Sequence, residues 1–92
     1  MYPAEVERVI QEIPGVAACA VLGVPDRRLG QRVVAAVEPA PGASLRSEEI
    51  LAYLTPRLAR YKLPERVEVV EKLPRNAMSK VLKRELEVLF RS

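Results

Sequence analysis

The chain has 92 residues, of which 49% are hydrophobic and 29% are charged, so its composition is that of an ordinary folded domain and excludes an intrinsically disordered segment. A net charge of +3 with only 4% aromatic residues argues against a nucleic-acid-binding protein. Histidine is absent, which excludes Ser-His and Cys-His nucleophile pairs and imidazole metal sites and leaves electrostatic chemistry.

Length and hydropathy predict one small cytoplasmic domain over residues 1–92. No apolar run reaches the roughly 18 residues that a membrane-spanning helix requires, and the N-terminal segment is acidic rather than apolar. The single cysteine, Cys19, cannot form an internal disulfide and lies in an apolar run. We therefore interpret Cys19 as a buried structural residue and not as a nucleophile.

The first predicted helix begins at Pro3, which the first helical turn accommodates, and ends at the Pro-Gly pair 14–15. Its apolar side chains recur at the spacing of one helical face: Val6, Val9, Ile10 and Ile13. Apolar runs over residues 16–24 and 32–38 predict two strands, the first of them buried on both faces. We expect these strands to pair antiparallel across a polar turn at residues 25–30.

A second helix is predicted further along the chain, with Ser44 or Ser47 as its N-cap. Its inward side chains are expected to be Ile50, Leu51, Leu54 and Leu58. Pro56 removes an intrahelical hydrogen bond, so we expect this helix to kink or end near Leu54. Residues 66–71 then read as a third strand.

The last predicted helix follows a loop over residues 73–79, with Ser79 as its N-cap. Its buried face is expected to comprise Leu82, Leu86, Leu89 and Phe90. Glu87 and Arg91 have the spacing of a favourable helical ion pair. The whole order of elements predicts an α+β fold, in which a small three-stranded, mainly antiparallel sheet has about three helices packed on it.

Three cations crowd the apparent start of the last helix: Lys80, Lys83 and Arg84. A helix N-terminus carries partial positive charge, so each cation placed there costs roughly 0.3–1 kcal/mol. Such a corner suits an encounter with an anion, and the alternative interpretation is a set of solvated surface cations. No glycine-rich phosphate loop of the Walker type occurs in the chain, so the isolated domain is not expected to bind that anion by itself.

Four short motifs occur across the chain in the order known from one protein family. They are Tyr-Pro-Ala-Glu-Val-Glu at 2–7, Gly-Val-Pro-Asp at 23–26 with Gly30, Tyr-Lys-Leu-Pro at 61–64, and Leu-Pro at 73–74 with Asn76 and Lys80. In this pattern the chain resembles the C-terminal domain of the AMP-forming acyl-CoA synthetases and ligases. The family normally has glycine before its lysine, whereas this chain has Ser79. Serine disfavours left-handed backbone angles, so a loop that requires them would displace Lys80.

The resemblance implies that Lys80 is the catalytic residue and that Lys62, Lys83 and Arg84 bind cofactor, with no metal ligand in this chain. The implied reaction joins a small carboxylic acid first to AMP, from ATP, and then to the thiol of CoA. ATP and Mg²⁺ would be held by an N-terminal adenylation domain, which is absent from these residues together with its hinge. The chain would be the mobile lid of that domain, and it is predicted to be inactive alone.

Other interpretations stay open at this level. One is a free-standing adaptor whose basic corner binds a phosphorylated or acidic partner, and another is a purely structural domain. The identity of the acid is open, and the acceptor is either CoA or another thiol such as that of a carrier protein. Glu5 and Glu7 do not share a helical face, so we interpret them as solvated charges and not as a catalytic pair.

Overall fold

The computed structural model describes residues 3–26 and 30–90. Its elements are, in chain order, α1 (Pro3–Gln11), β1 (Val16–Asp26), β2 (Gly30–Pro39), α2 (Ser47–Leu54), a short 3₁₀ helix (Arg60–Lys62), β3 (Arg66–Val69) and α3 (Lys83–Leu89). The predicted order of elements and the α+β fold are confirmed. The predicted turn at 25–30 falls partly on residues 27–29, which lie outside the described residues, as does Arg91 of the predicted ion pair with Glu87.

The described strands form one sheet in the order β1-β2-β3. Strands β1 and β2 pair antiparallel, as predicted, with Cys19 opposite Val37 and Leu22 opposite Val34. Strands β2 and β3 pair in parallel, so the sheet is mixed. A parallel pair needs a long crossover connection, and α2 lies within it.

Both faces of the sheet are covered by helices. Successive side chains of a strand point to opposite faces, so each strand can contribute to a hydrophobic cluster on either side. The first cluster lies between the sheet and helices α1 and α2 and comprises Val6, Val9, Ile10, Val21, Ala35, Val37, Ile50, Leu54, Leu58 and Val67. The second cluster lies between the sheet and helix α3 and comprises Ala20, Leu22, Val24, Val34, Ala36, Leu73, Leu86 and Phe90. Strand β1 contributes to both clusters, which confirms the prediction that it is buried on both faces.

The helices on the first face end where proline and glycine predict. After α1, Gly15 adopts a left-handed backbone with φ of +93°, which glycine tolerates without a Cβ clash. Its carbonyl accepts the Ala40 N–H over 2.7 Å, so this turn is tied to the chain after β2. Helix α2 ends at Leu54, two residues before Pro56, which confirms the expected early end.

The predicted N-cap of α2 is wrong. The helix begins at Ser47, and Arg46 is its N-cap residue with no side-chain capping bond. The Ser47 hydroxyl instead donates to the neighbouring Glu48 carboxylate over 3.2 Å. Packing of Ile50 and Leu54 in the first cluster therefore stabilises this helix without a side-chain cap.

Helix α3 differs most from its prediction. It begins at Lys83, so Ser79 is not its N-cap, because the preceding residues form a separate hairpin. Leu86 and Phe90 are buried as predicted, but Leu89 is 40% exposed. The helix thus contacts the sheet through one narrow row of side chains, and Leu89 lies beside that row.

Candidate functional site

The lysine loop, residues 75–81, is a small hairpin between the sheet and α3. Arg75 and Val81 form an antiparallel β-bridge at its base. Just outside the bridge, the Leu82 N–H donates to the Pro74 carbonyl oxygen over 2.9 Å. The two ends of the loop are therefore joined to each other by backbone pairing.

Asn76 organises the tip of the lysine loop. Its N–H donates to the Lys80 carbonyl over 3.0 Å, and its carbonyl accepts the Ser79 N–H over 2.9 Å. Its side-chain oxygen accepts the Met78 N–H over 2.9 Å and the Lys80 N–H over 3.1 Å. Asparagine is favoured at the first position of such a turn because its side chain can bond the following backbone. A single residue thus fixes both backbone polar groups of Lys80.

Ser79 occupies the left-handed region, with φ of 64°. It is the residue that follows the turn, at the position where three-residue hairpin loops place a left-handed residue. The loop therefore requires the backbone angles that glycine adopts freely and serine does not. The hairpin still forms with serine, because the hydrogen bonds of Asn76 hold the backbone on both sides of it.

Replacing Ser79 with glycine is expected to raise the free energy of unfolding by about 0.5–1 kcal/mol, because glycine removes the Cβ strain of the left-handed region. Ser79→Val should lower it by about 1–2 kcal/mol, since a β-branched side chain is least tolerated there. Urea unfolding of the 92-residue chain measures both effects. Ala77→Gly is the matched control in the same turn: Ala77 lacks a positive φ, so glycine there should destabilise. The same sign for both glycine variants would contradict this account.

Lys80 is exposed, and within residues 3–26 and 30–90 no carboxylate forms an ion pair with its ammonium. It precedes α3 and does not lie in the helix, so the hairpin and not the helix sets its position. An exposed cation without a partner keeps its full charge available to an external anion. The site therefore offers an exposed ammonium on a hydrogen-bonded backbone.

Glu38, near the end of β2, anchors the segment that enters the lysine loop. Its Oε1 accepts the Leu73 N–H over 2.8 Å and the Arg75 Nη1 over 2.9 Å. The Leu73 N–H first, and then the guanidinium of Arg75 and the charge of Lys72, hold the pKa of this carboxyl below its usual range. Glu38 is therefore ionised at neutral pH. The sequence analysis did not identify it.

Two of the three cations assigned to cofactor binding are paired with carboxylates of α1. Lys62 forms an ion pair with Glu5 over 2.7 Å, and Lys83 forms one with Glu7 over 3.2 Å. Glu5 and Glu7 are therefore not simply solvated, as the sequence analysis expected, because each carboxylate joins α1 to another element. Arg84 is exposed in the first turn of α3. Binding of cofactor by Lys62, Lys83 and Arg84 stays a prediction.

Cys19 lies in β1, two residues before Val21. The Glu7 carboxylate of α1 accepts the Val21 N–H over 2.7 Å. The Cys19 thiol donates to the Glu7 backbone carbonyl over 3.5 Å. Burial, and secondarily the charge of Glu7, raises the pKa of Cys19 to about 11. Cys19 is half-buried and not fully buried as predicted. The thiolate is the reactive form, so these contacts still support a structural role for this residue.

Within the described residues, no group of acidic or cysteine side chains could hold a metal ion, and no pocket of ligand size is found. The helices in these residues are all too short or too polar to cross a membrane. The groups of the described surface that could act on a ligand are thus its exposed cations, and among them Lys80 lies at the tip of an ordered hairpin.

Residues 5–80 match the family described as the AMP-binding enzyme C-terminal domain. The chain belongs to this family. Lys80 is the last residue of the matched segment, and the resemblance noted from the four sequence motifs is confirmed.

Known relatives of this AMP-binding enzyme C-terminal domain include two curated enzymes and a solved structure. A feruloyl-CoA synthase from Amycolatopsis sp is 48% identical over 90 residues, covering 98% of this chain and 18% of that protein. The fatty acid–[acyl-carrier-protein] ligase ScoC from Streptomyces coeruleorubidus is 44% identical over 98% of this chain and 17% of its own length. ATP-bound MatB from Rhodopseudomonas palustris has a TM-score of 0.90 at 38% identity, over 100% of this chain and 18% of MatB. The chain therefore spans less than a fifth of the length of each relative.

Proposed function

We propose that this domain is the lid of an AMP-forming carboxylate–CoA ligase and that Lys80 is its catalytic residue for adenylation. In the first step, a carboxylate oxygen of the acid attacks the α-phosphorus of ATP, which gives an acyl-adenylate and releases pyrophosphate. In the second step, the thiol sulfur of CoA attacks the acyl carbonyl, and AMP leaves with the bonding electrons. Lys80 would act in the first step, where negative charge collects between the carboxylate and the α-phosphate.

The observation that carries the proposal is the geometry of Lys80 itself. Asn76 binds the backbone N–H and carbonyl of Lys80 over 3.1 and 3.0 Å, while the ammonium is exposed. This combination fixes where the side chain begins and leaves its charge free to enter another site. By contrast, Lys62 and Lys83 each pair with a carboxylate of their own domain.

A lid arrangement gives the ammonium more effect than an exposed surface would. Two unit charges 4 Å apart interact by about 1 kcal/mol in water but by about 4 kcal/mol at an effective dielectric constant of 20. Closure over a bound nucleotide would exclude water, so the interaction energy of the Lys80 ammonium with an anion would move from the value in water towards the larger one. The N-terminal adenylation domain would be the partner that holds ATP, Mg²⁺ and the acid.

CoA is the acceptor that we propose, with a small carboxylic acid as the other substrate. The relatives differ in both: one is a feruloyl-CoA synthase and another is a fatty acid–[acyl-carrier-protein] ligase. Both are about equally similar to this chain, at 48% and 44% identity. This domain therefore does not distinguish the acids, and the pocket of the N-terminal domain would select the substrate.

A chimeric ligase tests the proposal. Its N-terminal region would come from the Amycolatopsis feruloyl-CoA synthase, and residues 1–92 would replace the native C-terminal domain. We expect no ATP–pyrophosphate exchange from the chain alone and restored exchange by the chimera, relative to the truncated synthase. A chimera that folds and binds ATP but exchanges pyrophosphate no faster than the truncated synthase would refute the proposed function.

A further inference from the structure

Glu38 links strand β2 to the beginning of the lysine loop. Its side chain is 16% exposed, and that of its partner Arg75 is 26% exposed. Both the Leu73 N–H and the Arg75 Nη1 converge on the same oxygen, Oε1. The Arg75 Nη1 also lies 3.3 Å from the Leu73 carbonyl oxygen, so the three residues form a closed polar unit.

This polar unit lies where the lysine loop leaves the folded core. Leu73 is buried in the second cluster, and Val81 packs against that cluster at the other end of the loop. Between them the loop is held mainly by bonds within itself, from Asn76 to Lys80 and from Leu82 to Pro74. Such internal bonds define the shape of the hairpin but not its direction relative to the sheet. The bonds to Glu38 connect it to a strand of the sheet.

We infer that Glu38 is a positioning residue for Lys80: by binding Leu73 and Arg75, its carboxylate fixes the direction in which the lysine loop projects from the sheet. This inference rests on the proposed function of Lys80. A small rotation at the stem would be magnified at the tip, where Lys80 has to meet the reacting oxygens. Misplacement of a catalytic group by about 1 Å can cost about a hundredfold in rate.

The alternative is that Glu38 and Arg75 form an ordinary stabilising pair with no special relation to the loop. Amide hydrogen exchange separates the two explanations. Release of the lysine loop from the sheet would accelerate exchange only at nearby amides, while global destabilisation would accelerate it at all protected amides. The informative amides are those of Asn76 and Leu82, which donate to Lys80 and Pro74. The amide of Thr55 at the end of α2, which donates to Leu51, serves as a remote reference.

Exchange would be measured by NMR on the 92-residue chain and on its Glu38→Ala and Glu38→Gln variants. Glu38→Ala should accelerate exchange at Asn76 and Leu82 about tenfold and leave the reference amide unchanged. Glu38→Gln keeps an acceptor oxygen but loses the charge, so its effect should be smaller. Glu68→Gln is the matched control, since Glu68 is also paired with an arginine, but its partner is Arg66 of the same strand, β3, and not a residue of the lysine loop. It should leave exchange in the loop unchanged.

The chimeric ligase supplies the second readout. Glu38→Ala should lower kcat for ATP–pyrophosphate exchange about tenfold to a hundredfold with little change in KM for ATP, because ATP would be held by the other domain. Uniformly faster exchange across the chain, or faster loop exchange with unaltered kcat, would overturn the positioning role of Glu38. Normal adenylation by a chimera that lacks the Lys80 ammonium would instead refute the proposed function, so the two failures are distinguishable.

Discussion

Replacing Phe90 with alanine is expected to lower the free energy of unfolding by about 3–5 kcal/mol. Phe90 is 0% exposed and has the largest side chain among the fully buried described residues. Its ring packs in the second cluster with Leu73 and Leu86, and the guanidinium of Arg66 lies 5.4 Å from the ring centroid. A whole domain of this kind is stable by only about 5–15 kcal/mol, so urea unfolding should show a large shift of the midpoint.

The adjacent Leu89 is the matched control for this prediction. It is 40% exposed and projects beside the row of α3 that contacts the sheet. Leu89→Ala should therefore cost less than about 1 kcal/mol. Similar costs for the two variants would contradict the packing of α3 against the second cluster through Phe90.

Much of the fold could be predicted from hydrophobic periodicity and from proline and glycine. In β2, Val34 packs in the second cluster and Val37 packs in the first. A nearly continuous apolar run is typical of a strand that is buried on both faces in this way. Pro56 ended α2 at the expected residue because a local steric effect was sufficient. The start of α3 could not be predicted in the same way, because hydrogen bonds within the lysine loop outweigh the helix-forming tendency of residues after Ser79.

The candidate site was predictable only where its determinants are local. The glycine that the family usually has before its lysine was the signal for the left-handed backbone of Ser79, whose φ is 64°, although Ser79 itself was predicted to be a helix cap. Glu38 was missed because it contacts Arg75 across 37 positions of sequence, through a sheet register that no short pattern reveals. Glu5 and Glu7 were misinterpreted for the same reason, since their partners Lys62 and Lys83 are distant in sequence. A charged residue directly after the apolar run 33–37 of β2 was the available signal for Glu38.

In the chimeric ligase, Lys80→Ala is expected to slow ATP–pyrophosphate exchange by about 10²–10³-fold, the cost of removing one preorganised group that stabilises transition-state charge. The substitution should change stability little, because Lys80 is exposed. Thioester formation from a supplied acyl-adenylate and CoA should change by less than about threefold, since that step breaks the bond between the acyl carbon and the phosphate oxygen and changes no bond to phosphorus, whereas Lys80 is proposed to act on the attack at the α-phosphorus. Comparing the two half-reactions thus distinguishes the effect of removing the ammonium group, which is confined to adenylation, from a general defect of the domain, which would slow both.

Arg46→Ala provides the control for simple loss of a surface cation. Arg46 is exposed before α2, on the side of the sheet opposite to the second cluster, and its removal should leave both half-reactions unchanged. Lys80→Arg retains the charge on a wider, planar group, so it should recover only part of the adenylation rate. Equal losses in the two half-reactions of Lys80→Ala would contradict a role confined to adenylation, and they would mean that the lysine loop serves domain closure in general. A selective loss, partly restored by arginine, requires a positive charge at the position that the hairpin fixes.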